Sequence, residues 1–280
     1  MLNNFEQGSG KLAFDCIQNN RRQFADDLRD RATDPYLISQ GNTPLCGPAA
    51  FMHCIASDRP TDYVRYVLDL ATTGSGTLGG LTVTPGSDCR NASLDNKIAA
   101  VDWVALASLR DASNTFLDMN GPDSNAAGIT VGSALAGWFS KTGWYPGGVS
   151  DFTSYGPQSF EHLLGINQRV NSHVCLFLRS AIVASSSSEV GINKFNGSGT
   201  PKTWLGTPDH WVVLKNRLTI DHKAPPLPGM PRPAGLENKR LDFSFWHWGE
   251  QYNIPINSRI HNITPAQFLP YYYGYVSASR

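Results

Sequence analysis

The sequence is poor in charge. Asp, Glu, Lys and Arg make up 16% of its 280 residues, and 23 basic side chains balance 23 acidic ones. Without a basic excess there is no electrostatic footprint for nucleic acid or an anionic membrane surface, so no nucleic-acid partner is expected. Cysteine is also sparse: five residues, at positions 16, 46, 54, 89 and 175. An odd, scattered set is not a disulfide framework, and without a CxxC pair neither a zinc ribbon nor a thioredoxin-like redox motif is supported. No HExxH spacing occurs, and no metal or other cofactor is called for. No run of about 18 apolar residues exists to span a membrane. The opening segment MLNNFEQGSGKLAFDC lacks a basic patch followed by an apolar stretch, so no cleaved signal peptide is expected. Synthesis in the cytoplasm follows, with any export by a leaderless route.

What is present suffices for a packed core: 41% hydrophobic and 11% aromatic residues. A single domain over 1–280 is expected, in three stretches. Residues 1–35 form a helical leader, 36–166 a mainly helical lobe and 167–280 a mainly β lobe. Helical rhythm runs through 11–31, and Pro48 lies at a position tolerated in a first helical turn, so a helix should begin close to Cys46. A second helix follows Pro60. The stretch GSGTLG formally matches GxGxxG, but it lies in the order helix, glycines, strand. A dinucleotide fingerprint needs strand, glycines, helix, so it is rejected. Residues 95–119 read as one long helix or two short ones, with weaker helical candidates at 130–141 and 158–166. HVCLFLRSAIV, DHWVVLKNRLTI and KRLDFSFWHWG read as strands. The proline-rich APPLPGMPRPAGLEN reads as a stiff exposed loop, with its PxxP spacing as a ligand signal of low specificity.

One constellation carries chemistry. A thiol attacks a carbonyl as thiolate, and a helix N-terminus lowers the cost of that charge. Cys46 sits where a helix should start, and Gly47 beside it permits close approach. Most cysteines are small buried hydrophobes, which is the bland reading of Cys46. Gln40, six residues upstream, can offer a side-chain amide to an oxyanion beside the Cys46 N–H. His210 opens an apolar strand, at a mouth rather than mid-strand, where it can serve as a base.

Q-x5-C-G at a helix start, the later strand HVCLFL, then HWVVL and a further strand ending in Trp-x-Trp-Gly together resemble the papain-like cysteine peptidases and their C39-like relatives. The resemblance covers some 60–70 residues in separated pieces. It implies an α+β fold, a helical lobe plus an antiparallel β-sheet lobe with the active site between them. It further implies Cys46 as nucleophile, His210 as general base and Gln40 as oxyanion donor. Trp248 matches an indole that shields the histidine's bond, and Trp211 and Gly47 join it as substrate-groove candidates. The sequence departs from the family at the third position, where Trp246 stands in place of the orienting Asn. His247 and Asp242 are the candidate third members, and a plain Cys-His dyad stands beside them.

The function implied is a cysteine hydrolase cleaving an amide or peptide bond through a thioester. It would be a bacterial effector or toxin acting on a protein or on peptidoglycan, restrained by an immunity or chaperone protein. The same Cys-His pair serves deamidases and acyltransferases, and a non-catalytic papain-like binding module is the rival from another class.

Overall fold

The computed structural model describes residues 1–113, 119–123, 130–183, 208–254 and 263–280. The protein is α+β and divides into two units. One comprises Met1–Tyr145 with Trp248–Glu250, the other Pro146–His247 with Gln251–Arg280. The expected lobe change at 166 therefore falls some twenty residues earlier.

The first unit is helical. Helices α1 (Leu2–Gln7), α2 (Arg21–Thr33), α3 (Cys46–Asp58) and α4 (Pro60–Thr73) come in succession. The leader is part of this body: Phe5 of α1 and Phe24, Ala25 and Leu28 of α2 are buried. In α3 every residue from Cys46 to Ala56 is buried, as a helix apolar on all sides demands. Pro60 starts α4, and Gly74, at φ 78, ends it in the left-handed cap that only glycine adopts without strain. The glycine-rich stretch is a two-stranded hairpin, β1 (Gly76–Leu78) and β2 (Leu81–Val83), and so follows a helix as the sequence order implied. Next come α5 (Ser87–Arg90), α6 (Ala100–Asp102), a π-helical stretch Trp103–Ala107, α7 (Ser108–Ser113) and α8 (Gly132–Thr142). The stretch 95–119, read as one long helix or two short ones, is helical over 100–113, and 114–118 lie outside the described residues. Arg31 of α2 clasps Asp102 of α6 through two hydrogen bonds of 2.9 and 2.7 Å.

The second unit is an antiparallel sheet with short helices. Its strands are β3 (Val149–Asp151), β4 (Ser172–Leu178), β5 (His210–Leu214), β6 (Thr219–Ile220), β7 (Leu241–His247), β8 (Glu250–Ile254) and β9 (Tyr272–Ser279). Among the described residues the order is β3-β9-β4-β5-β7-β6, with β8 paired to β7. Helix α9 (Phe160–Leu164) precedes β4, and α10 (Pro265–Phe268), closed by a Thr264–Gln267 capping box, precedes β9. DHWVVLKNRLTI, read as one strand, makes two. The run ASSSSEVGINKFNGSGTPK, a Ser/Gly-rich loop by composition, lies outside the described residues, as do all of 184–207. Alternation sorts the sheet's side chains. Leu176 and Leu178, Val212, and Phe243 and Phe245 share one core with Phe268 and Tyr272. The opposite face carries Phe177 stacked on Trp211, ring centroids 4.4 Å apart.

Candidate functional site

Cys46 is the first residue of α3 and is 5% exposed. The first-turn N–H groups of a helix have no partner inside it and present partial positive charge there. Arg110, in α7, adds a full charge. Burial lowers the pKa of its guanidinium, and the electrostatic attraction of Cys46 opposes that shift. The attraction is mutual, so Arg110 also favours the thiolate. Nothing in the sequence pointed to Arg110. It follows a π-helical stretch, a feature recurrent at functional sites and not visible as a motif.

Gln40 is 8% exposed and lies in the loop before α3. Its Nε2 donates to the Thr43 carbonyl at 2.6 Å, while Thr43 Oγ1 donates back to the Gln40 carbonyl at 2.6 Å. One of the two amide N–H groups is thus spent on stapling the loop. Gly47 is set by packing: a Cβ there would collide with the Thr130 side chain. His53 and Cys54, further along α3, are core residues. The His53 ring pairs with the Pro35 carbonyl at 3.0 Å, and Cys54 is a buried thiol outside any disulfide.

In the sheet unit His210 opens β5 and is 3% exposed; His247 closes β7 and is 2% exposed. The β5/β7 register sets Val213 opposite Trp246. One step on, His247 opposes Val212, and His210 is its diagonal neighbour on the same face. The rings meet edge to face, and His210 Nε2 lies 3.2 Å from His247 Nδ1. Burial pushes the His210 pKa down to about 4. Burial, then the neighbouring His210, pushes His247 down to about 3. Both rings are therefore neutral at neutral pH, and one donates to the other.

No family model, curated protein or solved structure matches the chain.

Of the two candidate third members, His247 is the one beside His210. Asp242 opposes Thr219 near the other end of β7, five residues from His247 or about 16 Å along a strand. There it holds Arg240 Nε at 2.6 Å and faces His222 Nδ1 at 3.5 Å. Asp209 accepts from the Ser180 N–H and hydroxyl at 2.6 and 2.8 Å. Trp246 is buried on the face opposite His247. The groove candidates differ in setting: Trp211 is buried against Phe177, whereas Trp248 is 40% exposed. Trp248 and Gly249, at φ 49 and 82, form the two-residue turn joining β7 to β8. Tyr271, just before β9, and Tyr272 and Tyr273 at its start are buried. Among the described residues no group of three or more His, Cys, Asp or Glu side chains is placed to hold a metal.

Proposed function

We propose that this protein is a cysteine-dependent hydrolase that cleaves an amide or peptide bond through a thioester on Cys46. The observation that supports it most is the setting of Cys46: first residue of a 13-residue helix, with the charge of Arg110 coupled to it. Both features favour the nucleophilic thiolate.

The histidine pair supplies a base in one tautomer. With the proton on His210 Nε2, donated to His247 Nδ1, the remaining lone pair of His210 is on Nδ1. In the proposed reaction that nitrogen takes the Cys46 proton and later delivers it to the leaving amine. His247 holds the ring, as an acceptor where the family has an amide oxygen. The Cys46 N–H and the second amide N–H of Gln40 serve the oxyanion. Water then adds to the thioester, releasing the acid and restoring the thiol.

The papain-like arrangement belongs to the same proposal. So does the role of an effector or toxin acting on a protein or on peptidoglycan, with an immunity or chaperone protein as partner. Trp246 at the Asn position keeps a non-catalytic binding module as the second reading.

Alkylation by iodoacetamide, read peptide by peptide in a mass spectrometer, separates the two. Cys46 should react fastest of the five thiols at neutral pH, far ahead of Cys16, whose pKa burial raises to about 12. Arg110→Gln should slow the alkylation of Cys46, since the positive charge that favours its thiolate is removed. Cys46 reacting no faster than Cys16 would leave the binding module. For substrate class, periplasm-only lysis on expression points to peptidoglycan and cytoplasmic toxicity to a protein, each abolished by Cys46→Ala.

A further inference from the structure

A second polar site lies in the sheet unit, at the end of β5 away from His210. Strands β4 and β5 run antiparallel, so the loop entering β4 and the loop leaving β5 meet at one end of the sheet. Between them is a cleft of about 300 Å³. Its polar lining is Asn167, Arg169, Asn171, Lys215, Asn216 and Arg217, with Ser172, and no carboxylate belongs to it. The chain as a whole carries no net charge. Three cations around one small cleft are therefore a local concentration and not a share of a basic surface.

The walls are held in place. Asn167 Nδ2 donates to the Leu218 carbonyl at 2.7 Å, and the Leu218 N–H returns to Asn167 Oδ1 at 3.0 Å, tying the two loops together. Arg169 donates from Nε to the Tyr275 hydroxyl at 3.1 Å and lies 4.4 Å above the Phe152 ring. That bond uses one of five guanidinium donors and fixes the plane of the rest. Asn216 accepts the Ser244 N–H on its oxygen, which directs its amide nitrogen elsewhere as a donor. A cleft lined by amide and guanidinium donors, with Asn167, Arg169 and Asn216 held by these bonds, and by positive charge fits an acceptor-only, multiply charged oxyanion. Its volume is at the small end of ligand pockets.

We propose that this cleft binds the phosphoryl group of a phosphomonoester, whether soluble or in a lipid headgroup. It is a separate site from the histidine pair: Lys215 is five residues beyond His210, about 16 Å along an extended strand. It does not depend on the hydrolase reading.

Titration calorimetry on the full chain tests it, with three probes. These are inorganic phosphate, glycerol 3-phosphate, and phosphatidylcholine vesicles containing phosphatidic acid. Saturable binding of at least one probe is expected, weakened at least about tenfold by Lys215→Gln with Arg217→Gln, since two charge-assisted contacts are removed. Lys239→Gln, an exposed lysine elsewhere, should bind as the parent does. Tighter binding of the ester than of phosphate identifies a soluble phosphomonoester, and binding of vesicles alone identifies a lipid headgroup. Unchanged circular dichroism and Cys46 alkylation in the double variant establish that the fold is intact. No saturable binding by the folded parent, or equal binding by the double variant, overturns the proposal.

Discussion

His210 and His247 are two ring systems that burial keeps neutral, and the cost appears on acidification. The ordinary pKa of 6.5 falls to about 4 in His210 and to about 3 in His247. Below 6.5 the unfolded chain takes up protons that the folded pair refuses, so stability rises with pH across this window. The pair's contribution is complete above 6.5 and is lost as pH falls toward 4, on the order of 3 kcal/mol for His210 alone. Urea melts from pH 7 to 4.5 should show this slope, and His247→Gln should flatten it; an equal slope in that variant would assign the effect to other groups. Cys46, His210 and His247 were visible in the sequence because helix starts and strand ends leave marks in proline, glycine and alternation. Arg110 was not. A lone arginine in a helical stretch carries no motif, and its relation to Cys46 exists only once α3 and α7 are folded.

Helix α3 depends on an absent side chain. Gly47 lets it approach Thr130, where a Cβ would overlap the threonine's Cβ, Oγ1 and Cγ2. Gly47→Ala should cost about 1–3 kcal/mol by overpacking, and Thr130→Gly in the same chain should recover most of it. A chemical-denaturation cycle reads the coupling; additive costs would mean that the two residues do not meet. The helices were legible wherever punctuation was strong, at Pro48 and Pro60. Strand β9 was not. Its sequence YYGYVSAS breaks the apolar alternation with Gly274, at φ 112, and with small polar residues, although it pairs with both β3 and β4. The proline-rich insertion is pinned: Gly229 donates to Glu161, whose other oxygen pairs with Arg232 at 2.8 Å. With Gly229 at φ 77, the stretch departs from the uninterrupted extended helix that a PxxP ligand presents.

The two units should answer acid in opposite senses. Burial raises the Asp102 carboxyl to about 6, with Arg31 holding it back. A folded pKa above the unfolded 3.8 gives stability that is present below 3.8 and lost as pH rises through 6. The histidine pair behaves in reverse. Hydrogen exchange between pH 7 and 4.5 should therefore show protection falling in β5 and β7 before it falls in α2 and α6. Removing the partner alone is harsher: Arg31→Met should cost about 3–5 kcal/mol, because it strands a buried carboxylate, whereas Arg31→Met with Asp102→Leu should cost much less. The α+β class was legible from the helical front and the β-rich back. The boundary at Tyr145 was not, because composition changes only later, at β4.

The turn at Trp248 and Gly249 bears on how the gene can be divided. Gly249 approaches Ser39 and the Tyr36 carbonyl, and Trp248–Glu250 are counted with a body that otherwise ends at Tyr145. Neither body is therefore one uninterrupted stretch of reading frame. A plasmid encoding only 1–145 would omit three residues of the helical body, and one encoding 146–280 would carry them as a foreign passenger.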